Sequence, residues 1–302
     1  MSDSRDTGMR PRRLRTNQRT VVWTAGLDSP EPRKLFETAD LLLEAPNWSH
    51  DGSHLLLNGA GRMWRLDLQH PTELHEVPLT GVPQINNDHV LSPDGRTLYV
   101  SGMDGHLYSA PATGGEGTRL TSDDETLHFL HGISPDGATL AYVAIPRGTD
   151  GAVGRLALMP ATGGASHTLD TGPGHIDGPE YGPDGTWIHL NSEAFTAAPG
   201  HAQICRLPAA GGPLRRLVAS ETVDWFPHLS PDGRHATYLA FPPGTLGHPE
   251  DLDVHVHLVA TDNWAQPLHS YPLFGGQGTL NVNSWAPDSR RFAMVSYPLT
   301  GA

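Results

Sequence analysis

The sequence predicts an all-β fold, a six-bladed β-propeller whose blades each hold four strands. Three observations carry that reading. First, a turn of the Ser-Pro-Asp-Gly type recurs six times along the 302 residues. The copies are Ser49-His50-Asp51-Gly52, Ser92-Pro93-Asp94-Gly95, Ser134-Pro135-Asp136-Gly137, Gly182-Pro183-Asp184-Gly185, Ser230-Pro231-Asp232-Gly233 and Ala286-Pro287-Asp288-Ser289. Where proline is present it presets φ for the first corner, and Asp-Gly tolerates the next corners. Second, the turn aspartates fall at 51, 94, 136, 184, 232 and 288. A period of about 40 to 50 residues with strand-like content is that of propeller blades. Third, the two ends of the chain are complementary, each holding the half of a blade that the other lacks.

The elements follow in order. Met1 to Gln18 is polar and rich in arginine, and residues 1–18 read as a disordered basic arm ahead of a single domain over 19–302. Thr20–Thr24 and Arg33–Phe36 are of strand length and precede the first turn. In each unit one strand precedes the turn and a second follows it, as in Thr97–Val100, Thr139–Val143 and His235–Leu239, which are rich in β-branched and aromatic residues. The third and fourth strands are joined through Gly114-Gly115, Gly163-Gly164 or Gly211-Gly212, which supply the positive φ of tight hairpins. After the sixth turn only Arg291–Tyr297 remains, so the N-terminal strands are expected to complete the last blade and close the ring. Two connections, Ser192 to His201 and Phe241 to Asp253, exceed what a hairpin needs. Long loops on one face of a scaffold are where binding usually lives.

Composition narrows the function classes. The formal net charge of −13 argues against a nucleic-acid binder, which needs a basic face for phosphates. The single cysteine, Cys205, allows no intrachain disulfide and reads as an inert thiol on a strand. No apolar run approaches the roughly 18 residues of a membrane helix, and the N-terminus lacks the apolar middle of a signal peptide, so the expected location is the cytoplasm. There is no Gly-x-Ser-x-Gly elbow and no phosphate-cradling glycine loop opening a helix.

In a propeller the first strand of each blade lines the axis, and its early residues meet at one mouth of the channel. Those segments are Asn86–His89, His128–His131, His175–Glu180, Asp224–His228 and Gln277–Asn283. They are far more polar than strands that serve only as packing. The candidate ligand-binding residues are therefore Asn87, Asp88, His89, His131, Asp177, Glu180, Asp224, Trp225, His228, His248, Gln277 and Asn281. Trp225 reads either as a stacking surface for a sugar ring or as a wedge between blades. His89 and His131 take equivalent places before their turns; His228 is offset by one residue, so a bulge at Pro227 is needed to bring it to the same side. With Asp177 or Glu180 nearby, His89, His131 and His228 suit a divalent metal such as Mn or Zn. The same residues also read as the wall of a hydrated channel.

The six turns, each preceded by an aromatic or aliphatic residue (Trp48, Leu91, Ile133, Tyr181, Leu229, Trp285), resemble the repeats of TolB-like β-propellers over roughly Thr20 to Pro298. Asp224–His228, His248-Pro249 and Phe274–Val282 resemble segments carried by members often labelled Tol transporter-like. Oligogalacturonate lyase is similar in architecture, with a metal held by His and Gln side chains. The ligand cluster of its final blade is replaced here by Asn281-Val282-Asn283. The resemblance implies a propeller, and the leading expectation is a binding module holding a small polar ligand, such as a saccharide, or a partner's peptide. The alternative is a metal-dependent carbohydrate lyase or hydrolase, with no catalytic residue identified.

Overall fold

The computed structural model describes residues 9–300. Within them the strands form a ring of six antiparallel blades, numbered here in chain order. Blade 1 runs from the axis outward as Leu43–Trp48, His54–Gly59, Arg62–Asp67 and Leu74–Val77. Blade 2 is Ile85–Leu91, Thr97–Gly102, Leu107–Pro111 and Thr118–Arg119; blade 3 is Thr126–Ile133, Thr139–Pro146, Arg155–Pro160 and His167–Thr168. Blade 4 is Ile176–Tyr181, Trp187–Ser192, Gln203–Pro208 and Arg215–Arg216; blade 5 is Val223–Leu229, His235–Phe241, Glu250–Ala260 and Asn263–Gly276.

Blade 6 joins the two ends of the chain. Thr20–Gly26 pairs with Arg291–Ser296 on one side and with Ser29–Thr38 on the other. The closure expected from the sequence is therefore the closure observed. The innermost place of this blade differs from a regular strand, since only Trp285 bridges Phe292. The reason is local. Side chains take over the backbone hydrogen bonds that a ladder would use: Asn281 Oδ1 accepts from Gly278 N, Asn283 Oδ1 accepts from Trp285 N, and Leu280 O pairs with His228 Nε2.

The repeated turn explains itself in hydrogen bonds. In blade 2 the Ser92 hydroxyl donates to Asp94 and accepts from Thr97 N at 2.9 Å, while Asp94 accepts from Arg96 N at 3.1 Å. Gly95 then takes φ 70°, a left-handed value that residues with a Cβ avoid. The Ser92 hydroxyl and the backbone donor hold the Asp94 carboxyl below its ordinary range. The core lies between neighbouring blades. Val22, Leu43, Trp48, Leu55, Ala293 and Val295 pack across the closing seam, and Trp225, Phe241, Trp285 and Phe292 pack between blades 5 and 6. Cys205 is a buried thiol on a strand, as expected.

Of the arm expected over 1–18, residues 1–8 lie outside the described residues. Residues 9–18 are docked rather than free. Leu14 packs on the closing-seam core, Gln18 donates to Asp251 at 2.6 Å, and Arg15 pairs with Asp251 at 2.8 Å. Acidic groups on the body attract this basic segment, and its apolar residue adds burial.

Candidate functional site

The inner strands do not alternate regularly. Register shifts interrupt blade 1 between Glu44 and Asn47, blade 4 between Asp177 and Glu180, and blade 5 between Trp225 and His228. The residue inside each bulge has positive φ: Ala45 at 53°, Gly178 at 62° and Phe226 at 56°. A bulge re-aims the side chains beside it. Here the effect is to gather polar groups at the mouth where the inner strands begin. Around them lies a cavity of about 310 Å³. Asn87, Asp88, His131, Asp177, His248, Gln277 and Asn281 line it, all of them expected from the sequence. Glu44, Asn86, Met103, His175, Phe129, Val143, Ile145 and Phe226 line it as well, together with Met9, Arg10 and Arg12 of the docked segment.

A chain of contacts links the polar wall. His131 Nε2 lies 2.8 Å from Asp177 Oδ1 and 4.0 Å from Asp88 Oδ1. The other Asp177 oxygen faces His248 Nε2 at 3.5 Å and His175 Nε2 at 3.8 Å. His248 Nδ1 meets Gln277 Oε1, the Gln277 amide donates to Asn87 at 3.3 Å, and the Asn87 amide donates to Glu44 at 3.2 Å. Arg12 closes the chain by donating to Glu44 Oε1 at 2.8 Å and to the Gln277 carbonyl. It also pairs with Glu250.

Electrostatics sorts these groups. Burial opposes a charge on His131, but Asp88 and Asp177 outweigh it and raise the imidazole to about 9. Asp177 is buried too, yet His131 and the other two imidazoles hold it well below its ordinary value. Burial, with Asp177 nearby, pushes Asp88 the other way, upward. Near neutral pH the wall therefore carries an imidazolium clasped by one firm carboxylate, a second carboxyl that ionises less readily, and several amides. Phe129, Val143, Ile145 and Phe226 add apolar side chains to the same lining. Phe226 stacks on His131 with centroids 5.8 Å apart and meets His248 edge-on at 5.1 Å. A bulky aromatic residue at positive φ is strained, and such strain clusters at functional sites.

No family model matches the chain. It is 36% identical over 288 residues to an uncharacterized protein of Agrobacterium fabrum, a match covering 94% of this chain and 90% of that one. A solved structure described as a "putative TolB" from Agrobacterium tumefaciens superimposes with a TM-score of 0.84 at 35% identity, over 93% of this chain and 99% of that one. The chain belongs to the TolB-like family of six-bladed β-propellers. TolB from Acinetobacter baumannii shares the fold at TM-score 0.61 and 16% identity, over 86% of this chain and 64% of that one. Oligogalacturonate lyase in complex with manganese shares it at TM-score 0.55 and 17% identity, over 83% of this chain and 69% of that one.

Not every expected residue of this TolB-like propeller reaches the cavity. Glu180 and His228 lie deeper and form a clip. His228 Nδ1 meets Glu180 Oε2 at 2.6 Å and its Nε2 meets Leu280 O at 3.0 Å, so both ring nitrogens are engaged. Glu180 Oε1 accepts from Leu229 N at 3.0 Å and from the Asn283 amide at 2.8 Å. The bulge expected at Pro227 exists, but it turns His228 toward blades 4 and 6 instead of the cavity. Asp224 is tied to Ser220 and Thr222, and burial raises its carboxyl to about 6. Trp225, 1% exposed, is a wedge that packs against His248 with centroids 4.5 Å apart. His89 is fully buried, and burial pushes it down to about 3.

The expected metal set does not come together. His89, His131 and His228 point to three different environments. Among the described residues no group of three or more His, Cys, Asp or Glu side chains is arranged to hold a metal ion. Sequence reasoning missed Glu44, Phe226 and Arg12 as wall residues. Glu44 and Phe226 carried a signal, since each sits early on an inner strand. Arg12 carried none beyond its charge. Among the described residues no helix is long and apolar enough to cross a membrane.

Proposed function

We propose that this TolB-like propeller is a binding module that holds a small polar ligand, of the saccharide class, at the mouth of its channel. The observation that supports this reading is the cavity of about 310 Å³ whose lining mixes polar and apolar side chains. The lining brings carboxylate, imidazole and amide groups for hydroxyls together with the partly exposed ring of Phe129 for the apolar face of a sugar. The size suits one or two sugar units better than a folded partner, while a partner's peptide is the competing occupant. The cytoplasmic location expected from the sequence belongs to the same proposal and is read by cell fractionation.

Calorimetric titration of the full chain with neutral and acidic mono- and disaccharides tests the reading. The expected result is saturable binding that Asp177→Asn and Gln277→Ala each weaken about ten-fold, the scale of one hydrogen bond to a charged or well-placed group. Binding to no member of the panel, or binding indifferent to both substitutions, overturns it. Metal analysis of protein purified without a histidine tag addresses the alternative. Stoichiometric Mn or Zn would move the reading to a metal-dependent carbohydrate lyase or hydrolase; metal-free protein that still binds a saccharide supports the module.

A further inference from the structure

We infer that residues 9–18 are a lid over the cavity, latched by Arg12, and that the cavity admits a ligand only when this segment lifts. The inference stands apart from the saccharide reading, since it concerns access to the cavity and not what occupies it. The wall is closed off in the structure. Glu44, Asn87, Asp88, His131 and Asn281 all line the cavity, yet none is more than 5% exposed. A pocket whose polar groups are barely reached by solvent must open before a ligand can reach them.

Two elements lie over that mouth, and they are held differently. The loop carrying His248 is fixed at several points. His248 packs against Trp225 and Phe226, its Nε2 faces Asp177 at 3.5 Å, and Pro249 O accepts from Gln277 N at 3.0 Å. Residues 9–17, by contrast, belong to no strand. They cross from Gly61 of blade 1, against which Pro11 sits, past Gln277 and Tyr297, to Glu250 and Asp251 of blade 5. Met9 and Arg12 line the cavity while Arg13, Thr16 and Asn17 face solvent, so the segment separates the two. Its side chains hold it down. Arg12 donates to Glu44 at 2.8 Å and to the Gln277 carbonyl, pairs with Glu250, and lies over the Tyr297 ring at 4.9 Å. Glu44 and Gln277 belong to the polar wall itself, so the latch is set directly against the site. Leu14 adds an apolar contact, and the exposed Arg15 adds its pair with Asp251. A segment held by one buried cation and a few outer contacts opens at far lower cost than a strand of the ring.

The probe is iodoacetamide, a small neutral alkylating agent, acting on a thiol introduced under the lid by Val143→Cys. Val143 lines the cavity and is 1% exposed. Cys205, fully buried on its strand, is the internal reference, because it reacts only when the fold itself opens. Mass spectrometry of the digested full chain reads the two thiols separately. Arg12→Ala is expected to speed alkylation of the introduced thiol about ten-fold, the worth of one hydrogen bond between charged groups, and to leave Cys205 unchanged. Ile145→Cys, on the same lining, should respond alike. Equal rates at both introduced thiols with and without Arg12 overturn the inference. So does an acceleration at Cys205 that matches the introduced thiols, since Arg12 would then brace the whole propeller. No saccharide enters the experiment, so failure of the lid and failure of the binding module are told apart.

Discussion

His131 and His228 sit on inner strands of blades 3 and 5, both nearly fully buried, both beside a carboxylate. They are nonetheless opposites. His131 belongs to a polar wall with one face open to a cavity, while His228 spends both nitrogens inside the protein. The lesson is that residue type and burial do not separate a site from a brace. What separates them is whether the hydrogen-bonding capacity of the group is consumed internally.

Four expected outcomes break or sharpen that contrast. The largest belongs to the brace. His228→Ala leaves the buried Glu180 carboxylate short of a partner and unlinks blades 4, 5 and 6, and denaturant unfolding should show a loss of about 3 kcal/mol. Saccharide binding, if the wall is the site, should survive at a temperature where the variant is folded. The reverse pattern, intact stability with lost binding, would make His228 part of the site after all.

The next outcome is a pH dependence. His131 is raised from 6.5 to about 9, so its contribution to stability is complete below pH 6.5 and is lost as pH climbs through 9. Asp177 is lowered, so its contribution is present above its ordinary carboxyl range and is lost only at strongly acidic pH. Stability should therefore decline between pH 6.5 and 9 in the unaltered chain, with His131→Gln removing most of that decline and His175, also raised beside Asp177, leaving a smaller remainder. A variant whose stability falls just as steeply over this interval shows that some other group titrates there.

Arg12 tests the edge of the wall. Arg12→Ala removes the cation that Glu44 faces and loosens residues 9–18, for a cost of about 1 to 2 kcal/mol. Trypsin should then cut after Arg15 faster than in the parent, and equal cutting rates would show that Arg12 does not hold the segment. The smallest effect is expected at the solvent-side turn that follows the His228 strand. Gly233 has φ 69°, and a Cβ there would meet only Pro183 at 3.8 Å, so Gly233→Ala should cost about 1 kcal/mol through backbone strain alone. An effect several times larger would mean that the turn ring, and not the clip, is the principal brace.

The propeller itself was legible in the chain. Turn chemistry is local: Ser, Pro, Asp and Gly act through φ and through hydrogen bonds spanning a few residues, so six copies at blade spacing specify six hairpins wherever they fold. Ring closure was equally legible, because unpaired strands at the two ends have only each other to pair with. The gathering of Asn87, Asp88, His131, Asp177, His248, Gln277 and Asn281 followed from the same geometry, since the inner-strand segments meet at one mouth and the long loop carrying His248 folds over it. Tertiary structure alone decided which polar residues stayed open to the cavity. Bulges at Ala45, Gly178 and Phe226 shift side chains by one place, and a shift of one reverses the side of a strand on which a residue lies. It alone also brought Arg12 and Glu44 together from opposite sides of the closing seam. That contact depends on a docked segment and a neighbouring blade arriving at the same point, and no pattern along the chain encodes their distance.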